Sequence, residues 1–487
     1  MIKLDKHFFL SKKKNQRFKN RIYFGEYLFQ YNDIKPVHYL KDNKEIILFG
    51  FAIDSHNSNR SMEKIAEYLV SPSILQLINK SRTLAGRFII FYKDEKDELY
   101  VIPDATCSIQ VSYTESKYEL VLSSNPKIIA DFLGIDESKV SRLIKSSAKE
   151  MHPLPYQLTM YDEIKVIIPN NYFRFSDRKL IRYYPNEKGK YITSCEAAKV
   201  SVDLLRNIIA GFIRHKKISI PLTSGVDSRV VLALSKDYIK DIPLYTIYHD
   251  HFTNNTADLI IPKEISNRFN LDYFHMESLT LPLEIYKYFK ENLGSNYNSY
   301  IARNAYSYYM SKISKYSFLT GDILPLVKSS FGKNLPEFFA NKKYLVTKTH
   351  NFSKANENEV LKWINDVTPF TKKSGISKFD LFFWEHRIGK WTSNNFLNYD
   401  LLTEPLNLFN CRELIEIWLN VPRKERMRNS IHLELIKLTW PELLDFPINP
   451  DKKLNFLNQN SYLFYMLSFV KFYLEKFTFY RSFPHGD

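Results

Sequence analysis

The chain has 487 residues, of which 44% are hydrophobic and 25% charged, a composition that argues against a fibrous or wholly disordered protein. This length predicts two or three domains with sizeable cores. Lys and Arg number 69 against 53 Asp and Glu, and the resulting charge of +16 suits an anionic partner or a basic solvated surface. The three isolated cysteines lack CxxC or Cys/His spacing, which argues against a disulfide framework or a zinc site.

The sequence also lacks the usual signals for export or membrane insertion. Its N-terminus has no uninterrupted apolar segment, and the longest apolar run, residues 462–470, is about half of a membrane span. We therefore expect a cytoplasmic protein with no integral membrane span. The aromatic segment 461–483 has apolar residues almost all round a helix, which favours buried packing over contact with a membrane or a partner.

The first half of the chain is predicted to be rich in β-strands. Apolar or β-branched runs between polar turns occur at residues 45–53, 87–93, 98–104, 109–114, 118–124, 163–169 and 171–176. The short turns favour antiparallel pairing. Helical patterns occur at 61–70 and 127–133. The basic stretch 11–21 is expected to be a solvated arm in front of the first strand.

The pattern changes at residues 183–194, which we interpret as the boundary between domains 1–190 and 191–487. A helix is predicted over 195–215 with Ser194 as its N-cap. Strands at 217–223, 242–249 and 271–277 then alternate with helices at 229–238 and 256–269, which is typical of a doubly wound parallel sheet. From residue 283 onward the chain is predicted to be mostly helical.

The turn at residues 220–229, Ile-Pro-Leu-Thr-Ser-Gly-Val-Asp-Ser-Arg, is the most informative motif. It leads from a strand into a helix, where free backbone N–H groups and the helix dipole favour phosphate. Gly225 permits close approach of phosphate oxygens to the backbone, and Asp227 suits a Mg²⁺ ion beside the phosphate. Arg229 can compensate the negative charge of the phosphate. Hydroxyl donors are added at three positions, Thr223, Ser224 and Ser228. An ordinary βα turn with capping Ser and Asp is the alternative.

This motif resembles the pyrophosphate loop of ATP pyrophosphatases, usually SGGxDS, and in particular that of asparagine synthetase-like enzymes. Thr223 stands at the family's first Ser and Ser224 departs from its first Gly. Residues 258–268 and 273–277 are similar to the acidic helix and short strand that follow in the family. A second family loop, SGxGxDExxxG, corresponds to residues 319–332, where Gly321 and Asp322 fit but the Gly-Gly-Asp-Glu character is lost. The segment 404–428 is similar to a C-terminal family motif.

The N-terminal half resembles the family's glutaminase domain, through residues 85–113 and 123–132. Members that use glutamine carry Cys directly after the initiator Met, whereas this chain has Ile2. Cys107 is expected to be a packed core residue. The resemblance therefore implies an α+β N-terminal domain, an Ntn-hydrolase-like antiparallel β sandwich with helices and no glutaminase activity. It implies an α/β C-terminal domain, a doubly wound parallel sheet of the ATP-pyrophosphatase type with added helices.

The reaction implied by the resemblance is an ATP-dependent, AMP-forming amide ligation. A carboxylate attacks the α-phosphate of ATP, pyrophosphate leaves, and ammonia or an amine displaces AMP. The resemblance assigns ATP and pyrophosphate contacts to Leu222, Thr223, Ser224, Gly225, Asp227, Ser228, Tyr248 and Gly321. It assigns Mg²⁺ to Asp227 and Asp322. The candidates for the cation that stabilises the developing negative charge are Arg387, Lys424 and Arg426. The alternative explanations are a helix packed on the core for Arg387 and a solvated loop for Lys424 and Arg426.

The acyl substrate and the amine donor remain open. These motifs most resemble those of the asparagine synthetase-like proteins of surface-polysaccharide clusters. That resemblance implies a small acid or a sugar acid as the acyl substrate. A lasso-type peptide macrolactam cyclase, a catalytically silent scaffold and, less favoured, a tRNA-modifying pyrophosphatase are the alternatives. A nucleic-acid partner is not expected, and a dimer is one possible assembly.

Overall fold

The computed structural model describes residues 6–115, 117–142, 154–332, 335–351 and 353–450, with scattered positions between 463 and 477. The strands are β1 Phe8–Ser11, β2 Asn20–Phe24, β3 Tyr27–Tyr31, β4 Val37–Lys41, β5 Lys44–Asp54, β6 Leu84–Lys93, β7 Leu99–Pro103, β8 Ser112–Thr114, β9 Leu122–Ser123, β10 Ile164–Val166, β11 Asn171–Arg174, β12 Lys179–Arg182, β13 Ile218–Pro221, β14 Leu244–Tyr248, β15 Tyr273–Glu277, β16 Ser317–Thr320 and β17 Pro405–Asn407.

The helices are α1 Met62–Leu69, α2 Ile74–Ser81, α3 Pro126–Leu133, α4 Ser194–His215, α5 Val226–Leu234, α6 Ala257–Phe269, α7 Leu283–Leu293, α8 Ser299–Met310, α9 Leu324–Val327, α10 Lys342–Thr349, α11 Lys354–Ser374, α12 Lys378–Phe382, α13 Ser393–Tyr399, α14 Arg412–Leu419, α15 Arg423–Arg426 and α16 Ser430–Thr439. A π-helix, Phe383–Thr392, joins α12 to α13. Short 3₁₀ turns occur at Lys236–Asp241, Gly294–Asn296, Glu337–Phe339 and Pro441–Asp445.

The first twelve strands form an antiparallel sandwich of two six-stranded sheets, in the orders β10-β8-β9-β1-β3-β2 and β12-β11-β7-β6-β5-β4. Aromatic side chains fill the space between the sheets, and Phe8 lies 5.6 Å from the ring of Phe49 and 5.3 Å from that of Phe91. Helices α1 and α2 cover the outer face of the second sheet, and α3 covers that of the first. The predicted antiparallel arrangement is therefore confirmed.

Strand β5 shows why its sequence is apolar throughout. Ile47 and Phe49 point into the space between the sheets, whereas Ile46 and Leu48 contact the layer of helices. Because both faces of the strand are buried, alternation of polar and apolar residues is absent.

The remaining strands form a five-stranded parallel sheet in the order β15-β14-β13-β16-β17. Ile220 pairs with Leu244 on one side of β13, and Ile218 pairs with Ser317 on the other. Long helices pack against this sheet around a core that includes the apolar side of α4 and most of α5. The chain is thus a mixed α/β protein, with the predicted parallel sheet in its second part.

One detail of the N-terminal half differs from the sequence prediction. Strand β1 begins at Phe8 and lies inside its sheet between β9 and β3, so the expectation that a basic arm precedes the first strand is wrong. The basic stretch instead connects β1 to β2. Four consecutive buried residues carry no alternation that would distinguish a strand, and only the pairing of β1 with its two neighbours defines it.

Helix α4 begins one residue earlier than predicted. Its N-cap is Thr193, whose hydroxyl accepts from the backbone N–H of Glu196, while the Glu196 carboxylate accepts from the backbone of Thr193. This reciprocal capping box satisfies two donors at once, which explains why Thr193 rather than Ser194 caps the helix.

In the C-terminal segment 461–483, only scattered residues are described, and nearly all of them are exposed. At the described positions the side chains are largely exposed, so the expected burial is not found there, although Lys343 contacts the rings of Phe469 and Tyr473. The rest of this segment lies outside the described residues. Within the described part of the chain, no helix has both the length and the apolar character needed to cross a bilayer.

Candidate active site

The turn after β13 lies at the carboxyl edge of the parallel sheet. Strand β13 is central, and the chain runs outward through β14 and β15 before returning to β16 on the opposite side. This reversal is the topological switch point, where open α/β sheets form a crevice for ligands. The backbone N–H of Leu222 donates to Tyr245 at 2.8 Å, which fixes the start of the turn against β14.

The turn is closed by its own hydroxyl groups. The backbone N–H of Thr223 donates to the Ser228 hydroxyl at 3.1 Å, and that of Gly225 donates to the Thr223 hydroxyl at 3.2 Å. Gly225 is the N-cap of α5, and no side chain caps the helix. The first-turn N–H groups of α5 therefore depend on another acceptor, such as an anion.

Ser224 faces away from this opening. Its backbone N–H and its hydroxyl both donate to one carboxylate oxygen of Asp258, at 2.8 and 2.7 Å. Asp258 stands in the first turn of α6, where the helix dipole favours a negative charge. The donors of Ser224 are thus used within the protein, unlike the phosphate contact that the resemblance implies.

Asp227 is held by a lysine and a histidine that the sequence analysis missed. Lys328 donates to its two carboxylate oxygens at 2.9 and 2.7 Å, and the Nε2 atom of His432 lies 3.2 Å from Oδ1. Burial alone would raise the pKa of Asp227, but His432 and Lys328 outweigh it and lower the pKa. The position of Lys328 in the second family loop was a signal for its role, whereas α16 offered none for His432.

Asp322 and Gly321 lie opposite the turn, directly after β16. A Cβ atom on Gly321 would stand 3.3 Å from the backbone oxygen of Asp227, so the two loops touch. Burial and the negative charge of Asp227 raise the pKa of Asp322, while Arg387 opposes the rise. The turn and the loop after β16 therefore bring two carboxylates to one place.

A divalent cation is compatible with this pair. Among the described residues, no three His, Cys, Asp or Glu side chains are grouped to hold a metal by themselves. Mg²⁺ commonly takes only one or two carboxylates and completes its shell with water and substrate phosphates. Asp322 is exposed at the loop after β16, so a cation that keeps its water ligands could reach this carboxylate.

Arg387 approaches the same place from the π-helix. Its guanidinium lies 3.3 Å from the centre of the Trp391 ring, and burial lowers its pKa to about 10, against the opposing attraction of Asp322. The rest of the π-helix contributes Phe383, Trp384 and Ile388 to the core. The segment therefore both packs on the core and presents a cation beside Asp322.

The other two predicted cations lie in different surroundings. Lys424 is exposed on α15. Arg426 is buried and donates to Asp380 at 2.6 Å and to the backbone oxygens of Val421 and Val327. Its neighbour Arg423 donates to the backbone oxygen of Leu335 at 2.7 Å and to Ser329 at 2.7 Å. The arginines of α15 therefore hold Val327, Ser329 and Leu335 in place.

Two further residues of the motif region have structural contacts. Arg229 is fully buried and donates to the backbone oxygens of Leu443, Phe446 and Pro447, so it anchors the chain near residues 443–447 rather than the mouth of the turn. Tyr248 ends β14, and its hydroxyl donates to the backbone oxygen of Phe252 at 3.2 Å. Its ring lies beside the sheet edge at which the turn opens.

Comparison with known proteins finds only weak structural likeness. No protein-family model matches the chain, and no curated protein matches it. Glutamine phosphoribosylpyrophosphate amidotransferase from B. subtilis is similar at 12% identity and a TM-score of 0.23, covering 49% of this chain and 56% of that chain. The chain thus spans little more than half of that enzyme.

Two synthetase structures are also similar. The NH3-dependent NAD synthetase from Campylobacter jejuni has 13% identity and a TM-score of 0.20, with 39% of this chain and 81% of that chain covered. The NMN synthetase from Francisella tularensis has 11% identity and a TM-score of 0.20, with 49% and 96% covered. Likeness at these scores carries no argument about family or reaction, so the site must be interpreted from its own geometry.

Proposed function

We propose that the protein is an ATP-dependent, AMP-forming amide ligase of the asparagine synthetase-like type, which activates a carboxylate and transfers it to ammonia or an amine. The observation that carries the proposal is the turn between β13 and α5. It lies at the switch point of the parallel sheet, presents an uncapped helix N-terminus, and faces the carboxylates of Asp227 and Asp322.

In this proposal each group of residues at the site has a separate role. The N–H groups at the start of α5, with the hydroxyls of Thr223 and Ser228, bind the pyrophosphate portion of ATP. Arg387 lies where negative charge accumulates as the substrate carboxylate attacks the α-phosphate, and it stabilises that charge. The attacking carboxylate is already ionised at neutral pH, so the first step needs no general base.

Asp227 and Asp322 would hold Mg²⁺, which neutralises phosphate charge when it is bound. Lys328 holds Asp227 in the structure, so a cation at Asp227 exchanges one positive partner for another. The acyl substrate is proposed to be a small acid or sugar acid, as in surface-polysaccharide or secondary-metabolite biosynthesis, and the glutaminase-like domain of residues 1–190 is proposed to lack glutaminase activity.

A silent scaffold is the second candidate, and the ion pair of Lys328 with Asp227 favours it. This lysine neutralises the carboxylate from within the protein, which is what a site without a metal would require. The two candidates differ in nucleotide affinity, because a scaffold has no need to bind ATP.

Thermal unfolding with and without Mg·ATP tests the proposal. At a hundred times its dissociation constant a ligand stabilises a protein by about 2.7 kcal/mol, which corresponds to roughly 5–10 °C in a domain of this size. We expect this shift in the wild type and its loss in Asp227→Asn. Asp237→Asn, which removes an exposed carboxylate from the 3₁₀ turn after α5, is the matched control and should keep the shift.

Activity is then measured as AMP release with ATP, ammonium and a panel of small carboxylic acids. We expect acid-dependent AMP formation in the wild type and in Asp237→Asn, and none in Asp227→Asn. A wild type that shows neither a thermal shift nor AMP release would favour the scaffold. An unchanged rate in Asp227→Asn would remove the turn from the mechanism.

A further inference from the structure

A second cavity lies between the antiparallel sandwich and the parallel-sheet region, away from the β13–α5 turn. Its volume is about 350 Å³. The sandwich contributes Lys6 and Arg87, and the other part contributes Lys216, Asp400 and Glu404. No residue of the turn at 222–229 lines it, so this site does not depend on the proposed reaction.

The charges on the wall do not balance. Arg87 donates to both carboxylate oxygens of Asp400, at 2.9 and 2.7 Å, and Lys6 donates to the same carboxylate at 3.2 Å. Lys216 is paired with Glu404 at 2.9 and 3.0 Å. On the wall itself three cations therefore share two carboxylates, while Arg87 is also attracted to the carboxylate of Asp104, which does not line the cavity. The two other charged residues of the wall, Arg17 and Asp33, are of opposite sign and leave the surplus of one positive charge unchanged.

Lys6 is the cation with room for a further partner. Its ammonium group has three donors, of which one is used by Asp400 and one by the backbone oxygen of Thr403 at 2.9 Å. Arg87 directs its four terminal N–H groups to Asp400, Ser108 and Pro405, and only its buried Nε–H has no partner among the described residues. Arg87 is 6% exposed and holds Asp400 in place, so the position of Lys6 is set by a rigid ion pair.

The rest of the wall is mixed, and beside polar side chains such as Gln110 and Asn292 it carries several apolar ones. Phe51 and Ile109 from the sandwich face Leu397, Leu401 and Leu406 from the other part. A ligand that fits this cavity therefore has one anionic end for the cationic corner and a hydrocarbon body for the opposite wall.

We propose that this cavity binds a small amphipathic carboxylic acid, whose carboxylate accepts a hydrogen bond from Lys6 and whose apolar body packs against Phe51 and the three leucines. The carboxylate lies at the corner at which Lys6, Arg87 and Asp400 meet. Because both parts of the chain line the cavity, the bound acid contacts both and stabilises their junction.

The probe is 3-phenylpropionate, with its neutral analogue 3-phenylpropanamide as the matched ligand. Binding to the full-length protein is followed by saturation-transfer NMR and by titration calorimetry. A ligand of this size in a preformed cavity is expected to bind with a dissociation constant of about 5 mM or lower. We expect the acid to bind and the amide to bind at least about tenfold more weakly, since the charged hydrogen bond is lost.

Two variants locate the site. Lys6→Met is expected to weaken the acid at least about tenfold and to leave the weak binding of the amide unchanged. Lys13→Met is the control, because Lys13 is an exposed lysine that pairs with Glu119 outside the cavity. Lys6→Arg keeps the charge and should retain binding, which separates loss of the cation from a failure to fold.

Three results would overturn the proposal. They are no binding of 3-phenylpropionate, equal binding of acid and amide, and equal binding of the acid by Lys6→Met and the wild type. None of these outcomes depends on ATP. Failure here therefore leaves the proposed ligase function standing, and failure of that function leaves this site standing.

Discussion

Lys390 is a buried lysine whose charge is opposed by its surroundings. Its side chain is 6% exposed, and its ammonium group donates to the backbone oxygen of Leu158 at 2.6 Å. Burial, with a smaller contribution from Lys165, lowers the pKa of Lys390 to about 7, and Glu359 opposes the change weakly. The helical pattern of residues 383–392 indicated an apolar side, but it did not show that this lysine lies in the interior.

The low pKa of Lys390 predicts a specific dependence of stability on pH. Between about 7 and the unfolded value near 10.4, the unfolded chain binds a proton that the folded chain does not, so the free energy of unfolding rises with pH. The rise is up to about 1.4 kcal/mol per pH unit. Urea denaturation at pH 7, 8 and 9 should show this slope in the wild type and its loss in Lys390→Met.

A matched control for this measurement is Lys240→Met, which removes an exposed lysine. It should keep the slope of the wild type. If Lys390→Met and the wild type changed equally with pH, Lys390 would carry an ordinary pKa in the folded protein.

Arg229 illustrates a charge within the pyrophosphate-loop motif that serves the fold. Its terminal N–H groups bind backbone oxygens of residues 443–447, and burial lowers its pKa to about 10. We expect Arg229→Met to destabilise the protein by about 3 kcal/mol, because several buried carbonyl groups lose their donors. Urea denaturation at pH 7 measures this, and Arg268→Met, at an exposed pair with Asp445, should cost about 0–1 kcal/mol.

At the scale of single elements, the π-helix Phe383–Thr392 is the segment that connects fold and site. Its wider turn places Arg387 beside Asp322 and also turns Glu385 toward Arg182, Trp363 and Asn170. π-helical segments recur at functional positions because they change the direction of side chains within a helix. The sequence predicted a helix here, and only the packing selects the wider turn.

Gly389 provides a test of that packing. A Cβ atom on this residue would meet the ring of Pro169 at 2.3 and 2.5 Å, and a proline ring has little freedom to move away. We expect Gly389→Ala to destabilise the protein by about 1–3 kcal/mol and to reduce the proposed ligase activity, because Arg387 belongs to the same segment. The double variant Gly389→Ala/Pro169→Ala should recover part of the stability. No recovery would locate the strain elsewhere.

At the scale of the whole molecule, buried polar contacts join the sandwich to the parallel-sheet region. Trp384 donates from its indole nitrogen to Ala105 at 2.8 Å, and Ser393 donates to Cys107 at 2.7 Å. Arg182, at the end of β12, binds Glu385, and both side chains are almost completely buried. The two parts therefore share an interior, and we expect them to unfold in one cooperative transition.

The Arg182–Glu385 pair can be tested by a double-mutant comparison. Glu385→Ala should destabilise the protein by about 3–5 kcal/mol, because Arg182 is left buried without its main partner. Arg182→Met/Glu385→Leu should lose less, since neither charge of the buried pair is left behind and Asp366, which also pairs with Arg182, is one-third exposed. Urea denaturation followed by tryptophan fluorescence measures both. Equal losses would mean that the pair contributes only packing.

The sequence determined the order and type of most elements from residue 45 onward. Hydrophobic runs with short polar turns specify antiparallel strands, and alternating strands and helices specify a parallel sheet, because these are local patterns of burial. Strand β1 was missed because its four residues carry no such period. The turn at 222–229 could be predicted because small residues and hydroxyl side chains are needed where a strand leads directly into the start of a helix.

Only the tertiary structure decided which charged side chains lie next to one another. Lys328 and His432 reach Asp227 from residues about 100 and 200 positions away, and Arg229 turns to backbone oxygens instead of the site. The same holds for Lys6, Arg87 and Asp400 at the second cavity. A sequence fixes which groups can ionise, but their partners and their pKa depend on distances and burial that arise when distant segments pack together.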